Sequence, residues 1–151
     1  VDINEKRKTQ MAEKVIAACG GSVADKTIAV LGLTFKPDTD DMRDSPSLVI
    51  VPELQKAGAT IQAYDPQGMK EGAHLFEDVV FCEGPYETMQ GADVLVIVTE
   101  WNAFRALDFE RVKSLLKTPT LVDLRNIYNL EDMRRAGFTY FSVGRESLAA
   151  E

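Results

Sequence analysis

Histidine is almost missing from this sequence, with His74 the single copy in 151 residues. Ser/His/Asp and Cys/His mechanisms need a histidine base beside a nucleophile. No persuasive set of that kind can be assembled around His74, which is given no role. Cysteine is scarce as well, with only Cys19 and Cys82. No CxxC pair or Cys/His cluster offers zinc-ligand spacing. Two buried free thiols are expected rather than a disulfide. No apolar run approaches the roughly 20 residues that span a bilayer. The first ten residues, VDINEKRKTQ, are polar and unlike a signal peptide. These features together lead to the expectation of a cytoplasmic protein.

Positive charge is in deficit. The chain carries 17 Lys+Arg against 24 Asp+Glu, a formal net charge of −7. That excludes a non-specific nucleic-acid or anionic-membrane binder, which needs a basic surface. A small anionic ligand is still admissible, because a few placed cations suffice for it. With 45% hydrophobic and 27% charged residues, the rest of the composition is that of an ordinary globular domain. About one domain is expected, long enough to bury a core without disulfides or metal.

Periodicity orders that domain. Met11, Val15, Ile16 and Cys19 recur at helical steps, so Asn4 to Cys19 reads as an amphipathic helix ended by Gly20-Gly21. The run Lys26 to Leu33, KTIAVLGL, reads as a strand buried on both faces. Ser45-Pro46 reads as a cap and first turn of a helix reaching Gly58, bent or interrupted at Pro52. Strands follow at residues 59–65, 78–82, 92–99, 120–123 and 138–143. Between them lie helices at 67–75, 85–92, 109–116 and 131–136. Such alternation predicts an α/β fold with a doubly wound, mainly parallel sheet, Rossmann-like, preceded by a helix. The one plausible boundary is Gly20-Gly21-Ser22.

In open α/β sheets, ligands bind outside the carboxyl ends of the strands. Three such ends carry chemistry. The first is Thr34 to Pro46, TFKPDTDDMRDSP. It lacks G-x-G-x-x-G, so it is not a dinucleotide fingerprint. It offers Lys36 and Arg43 among four aspartates. Either this is a solvated loop with local ion pairs and Asp turns, or its cations and the following helix N-terminus receive an anion. The second end is Thr99-Glu100-Trp101-Asn102. Trp101, the lone tryptophan, is either a core or rim aromatic or a stacking platform. The third is Asp123-Leu124-Arg125-Asn126, where an arginine held by a rigid strand end suits a ligand.

The stretch GLTFKPDTDDMRDSPS, Gly32 to Ser47, resembles the C-terminal, UDP-binding domain of the UDP-glucose/GDP-mannose dehydrogenase family. AYDP at 63–66, GADVLVIVTEWNAFR at 91–105 and VDLRN at 122–126 follow in the order expected of it, so the resemblance covers nearly the whole chain. It implies oxidation of a nucleotide sugar, UDP-glucose to UDP-glucuronate, in two NAD-dependent steps. It implies that the NAD fingerprint lies in an N-terminal Rossmann domain and the catalytic cysteine in a central segment, neither of them present here. Neither Cys19 nor Cys82 lies in the family's cysteine motif. By resemblance, residues 1–20 are the end of an inter-domain connector helix and residues 21–151 the UDP-sugar-binding domain. Phe35, Lys36 and Arg125 match substrate-binding positions, and Arg43 matches the arginine that reaches NAD on the other domain. The start at Val1, almost inside a helix, leads to the expectation of a fragment inactive alone. The expected partners are UDP-glucose or a related nucleotide sugar, the absent domain, and a second copy. Self-association is expected through Met11, Val15 and Ile16, left without their cover.

Overall fold

A computed structural model describes residues 3–144 and 147–150. Its elements follow the predicted alternation: α1 (Ile3–Ala18), β1 (Thr27–Leu31), α2 (Ser47–Lys56), β2 (Thr60–Tyr64), α3 (Met69–Leu75), β3 (Val79–Phe81), α4 (Pro85–Met89), β4 (Val94–Ile97), α5 (Asn102–Arg105), α6 (Phe109–Leu115), β5 (Thr120–Asp123), α7 (Leu130–Ala136) and β6 (Thr139–Ser142). The sheet has six strands in the order β3-β2-β1-β4-β5-β6, and every ladder is parallel. This is the doubly wound Rossmann order, with its reversal between β1 and β4.

The apolar runs of β1 and β4 are continuous because both faces of each strand are covered. Ile28 and Val30 face one core with Val94 and Val96. Ala29 and Leu31 face the other with Leu95 and Ile97. Alternate side chains point to opposite faces, so each strand needs apolar residues throughout. The first core is closed by α1 and α2 through Ala12, Val15, Ile50, Val51 and Leu54. The second is closed by Met89, Phe104, Val112 and Met133 from α4 to α7.

Several expectations need correction. The α1 stripe is not left uncovered. Ala12 and Val15 are buried, and Met11 and Ile16 pack on the same core. Helix α2 runs through Pro52 without interruption. The missing N–H removes one intrahelical bond, and the buried Ile50, Val51 and Leu54 hold the helix on the sheet. Strand β1 stops at Leu31, because Gly32 takes φ +95° and leaves the extended region. The short helix α5 was not expected. Both cysteines are free, but they are half-buried rather than buried. Among the described residues, no helix is long and apolar enough to cross a membrane.

Candidate functional site

The reversal of strand order opens a crevice at the carboxyl ends of β1 and β4. Gly32 sits at its floor. A Cβ there would lie 2.5 Å from the Thr99 backbone nitrogen, so only glycine lets the two strand ends approach this closely. Thr99 uses that approach. Its hydroxyl donates to the Thr34 carbonyl at 2.7 Å and ties the end of β4 to the loop that carries Phe35 and Lys36.

The same loop is gripped from β2. Asp65, 1% exposed, follows that strand directly. Its Oδ2 accepts from the Leu33 and Thr34 backbone N–H at 2.7 and 3.0 Å, the Thr34 hydroxyl at 3.1 Å and the Trp101 indole N–H at 3.2 Å. Its Oδ1 accepts from the Gln67 and Gly68 N–H groups at 2.9 and 2.8 Å. A carboxylate this buried is tolerated because neutral donors surround it. Trp101 is thereby a core aromatic, 6% exposed, with its one polar atom satisfied. It is not a stacking platform.

A second buried aspartate organises the end of β5. Asp123 Oδ1 accepts from the Arg125 N–H at 3.1 Å. Its Oδ2 accepts from the Ile127 and Tyr128 N–H groups at 2.8 and 3.1 Å and from the Tyr140 hydroxyl at 2.6 Å. Asn126 exchanges two bonds with the Val143 backbone, at 2.8 and 2.9 Å, from the left-handed region that asparagine tolerates. Burial first, and then the neighbouring Asp123, push the Tyr128 hydroxyl far above its ordinary range, so it stays a donor, here to the Phe104 carbonyl. The backbone of Arg125 is therefore fixed. Its side chain pairs with Glu100: Nε and Nη2 both reach Oε2, at 3.0 and 2.5 Å.

Phe35 and Arg125 line one cleft, of about 390 Å³, with Asp44, Pro46 and the α1 residues Asn4, Glu5, Arg7, Lys8 and Met11. Phe35 is 47% exposed there. The lining of this cleft thus carries three cations, Arg7, Lys8 and Arg125, and two carboxylates, Glu5 and Asp44. Lys36 is exposed on the same loop but does not line the cleft. Arg43 lies elsewhere, in a cleft of about 690 Å³ whose charged lining is otherwise Asp40, Asp41 and Glu71. Its Nε and Nη2 pair with Asp41 at 3.0 and 3.1 Å, and its side chain is 89% exposed. The hydrogen bonds from Arg43 hold the Asp41 carboxyl below the usual carboxylate range. Loop 34–46 thus contains the local ion pair and, at Asp38 and Asp44, the positive-φ Asp turns of the solvated alternative.

The expectation of an anion on the α2 N-terminus does not hold. Ser47, Leu48, Val49 and Ile50 donate their N–H groups to Ser45 Oγ, Ser45 O, Pro46 O and Pro46 O. Ser45 is not the cap; Pro46 occupies that position, and both serine hydroxyls donate to the Leu33 carbonyl at 2.6 Å. A complete NAD cradle does not fit this sheet either. The acidic residue after β2, which would take a ribose hydroxyl in a dinucleotide fold, has both oxygens engaged internally. An outward contact from Arg43 to an NAD held elsewhere does fit its exposure. Burial, the largest influence on each, pushes both the Cys19 and Cys82 thiols up, opposite to the shift an activated thiolate needs. Among the described residues, no group of His, Cys, Asp and Glu could hold a metal ion.

Sequence reasoning gives no task to Asp65, Asp123, Thr99 or Glu100, yet these residues hold the strand ends together. The signal for the aspartates was their place, each an acid closing an apolar strand.

Residues 29–130 match the model of the UDP-glucose/GDP-mannose dehydrogenase family, UDP binding domain. The chain is 56% identical over 145 residues to a UDP-glucose 6-dehydrogenase of Rhizobium meliloti, covering 96% of this chain and 33% of that protein. It is 40% identical to the UDP-glucose 6-dehydrogenase TuaD of Bacillus subtilis, covering 98% and 32%. It spans about a third of the length of these relatives. Among solved structures, an NDP-N-acetyl-D-galactosaminuronic acid dehydrogenase from Methanosarcina mazei superposes with TM-score 0.81 at 26% identity, over 94% of this chain and 30% of that one. A UDP-glucose dehydrogenase from Pyrobaculum islandicum gives 0.74 at 25%, over 93% and 30%. With the family model spanning most of a sheet of Rossmann order, the chain belongs to the UDP-glucose/GDP-mannose dehydrogenase family and carries its UDP-binding domain.

Proposed function

We propose that this chain is the C-terminal, nucleotide-sugar-binding part of an NAD-dependent UDP-glucose 6-dehydrogenase, which oxidises UDP-glucose to UDP-glucuronate with two NAD. The observation that carries this reading is the cleft shared by the exposed Phe35 ring and the fixed Arg125, beside the exposed Lys36 near the start of loop 34–46. Phe35 offers a flat apolar face. Lys36 acts on a diphosphate as a point charge, and Arg125 acts as a planar fork suited to phosphate oxygens. Arg43 turns outward and contacts NAD bound by another part of the enzyme. NAD, when bound there, accepts hydride from the sugar. The role of this chain is to hold and orient the nucleotide end, so that C6 lies on chemistry supplied elsewhere. Its compartment is the cytoplasm, a reading supported by two free thiols. A homodimer follows from the family resemblance; helix α1 lends it no support, because its stripe packs within the chain.

Two measurements on the purified chain test the reading. Titration with UDP should give saturable binding. Mixing with NAD and UDP-glucose should give no sustained rise in NADH absorbance. Absence of UDP binding would remove the reading, and steady turnover would contradict the assignment of the chemistry to another part of the enzyme.

A further inference from the structure

Glu100 is the residue whose arrangement the site description leaves unexplained. It lies between Thr99, which holds the Phe35–Lys36 loop, and Trp101, which holds Asp65. Its own side chain points a third way, to Arg125 on the next strand. Three consecutive residues at the end of the central strand β4 thus reach all three organised strand ends. The pair with Arg125 is asymmetric. Both guanidinium contacts fall on Oε2, while Oε1 is buried and has no hydrogen-bond partner among the described residues. A carboxylate aligned for its own satisfaction would use both oxygens, as the fork-to-fork geometry allows. Here the carboxylate is placed to serve the arginine. It occupies the Nε edge of the fork, and the Arg125 side chain, 35% exposed, keeps part of its surface in the cleft beside Phe35.

We infer that Glu100 is a positioning residue, which holds the Arg125 guanidinium with its Nη1 side presented to the phosphate of a nucleotide sugar. This rests on the reading of Arg125 as a nucleotide-sugar contact. The backbone of Arg125 is already fixed by Asp123, and Glu100 fixes the rotamer-rich remainder. Without it, the arginine must be ordered by each arriving ligand, and that ordering is taken out of the affinity. The negative charge of Glu100 works against an anion, so the two effects have opposite signs and can be separated by substitution.

The test is UDP affinity of the purified chain, by calorimetric titration, for four variants. Glu100→Ala should weaken UDP about tenfold. Glu100→Gln keeps an acceptor for the guanidinium, and should recover most of that loss. In an Arg125→Ala background, Glu100→Ala should weaken UDP no further, because a residue acting only through Arg125 has nothing left to position. A merely structural role would instead make the two losses add. Tighter binding by both Glu100→Ala and Glu100→Gln would overturn the inference and make Glu100 a competitor for the arginine. Unchanged affinity in Glu100→Ala, with Arg125→Ala still weakened, would overturn the inference alone. If Arg125→Ala itself left UDP affinity unchanged, the underlying reading of Arg125 would fail, and the positioning role with it.

Discussion

Arg43 and Arg125 each stand after a strand and each pair with a carboxylate, but the two ion pairs belong to different kinds of structure. The Arg43 pair is closed within one loop, with Asp41 two residues away, and the arginine is 89% exposed. Solvent screens such a pair, and it holds little. The Arg125 pair joins two strands, spans 25 positions, and rests on a backbone pinned by a buried aspartate. The first leaves its arginine exposed to solvent. The second fixes its arginine in advance, as a site for a small anion requires. Loop 34–46 is tied down at its beginning, through Thr34 to Asp65 and Thr99, in its middle, where Met42 is buried in the first core, and at its end, through Ser45 to Leu33. The Arg43 side chain stands out from it into solvent.

Breaking the Asp123 anchor should have the largest effect. Asp123→Ala removes the shared acceptor of four donors, the Arg125, Ile127 and Tyr128 N–H groups and the Tyr140 hydroxyl. A buried group that loses its hydrogen-bond partner costs about 1–3 kcal/mol, so a loss of about 3 kcal/mol is expected in urea unfolding. A loss below about 1 kcal/mol would mean that the β5 end is held by something else. Arg125→Ala comes next. Losing a charge-assisted bond to an anion costs about 1.5–3 kcal/mol, roughly a ten- to hundredfold weakening of UDP. Arg125→Lys should recover only part of it, because the fork is gone. In the whole dehydrogenase, Arg125→Ala and Lys36→Ala should raise the KM for the sugar nucleotide more than they lower kcat. A rise confined to the KM for NAD would reverse the assignments.

Arg43→Ala should leave both UDP affinity and the unfolding midpoint of this chain unchanged, and in the whole enzyme should weaken NAD. The smallest effect is visible only by titration. Asp41 is held below the ordinary carboxylate range in the folded chain, chiefly by the hydrogen bonds from Arg43. The contribution of this pair is present above the unfolded pKa and is lost as pH falls through the depressed folded value. Carbon-detected NMR of Asp41 should therefore show a low midpoint that returns to the ordinary range in Arg43→Ala. An unshifted midpoint in the wild type would show that the pair does not persist in solution.

Much of the architecture was legible in the pattern of apolar residues. The β1 and β4 runs announced strands covered on both sides, and the spacing between runs left room only for crossovers. Boundaries were less legible where one residue decides them, as at Gly32, whose positive φ ends β1. That α2 continues through Pro52 was not legible, because the buried face of the helix outweighs one lost hydrogen bond. At the site, the cations could be read from their positions, but their supports could not. Asp65 read only as the last residue of a strand, and one of its donors, Trp101, lies 36 positions away. Glu100 meets Arg125 only because β4 and β5 are neighbours in the sheet. Pairings of that kind arise from topology and leave no local spacing to detect.

The central claim is that a nucleotide sits at the carboxyl ends of β1 and β5, against Phe35, Lys36 and Arg125. Backbone amide NMR of the labelled chain during UDP titration addresses it residue by residue. The account predicts the largest shifts at Thr34 to Lys36 and at Leu124 to Asn126, with the amides of Cys19, Lys26 and Thr118, at the opposite ends of the strands, unmoved. Shifts centred on Cys19, Lys26 and Thr118 would contradict it.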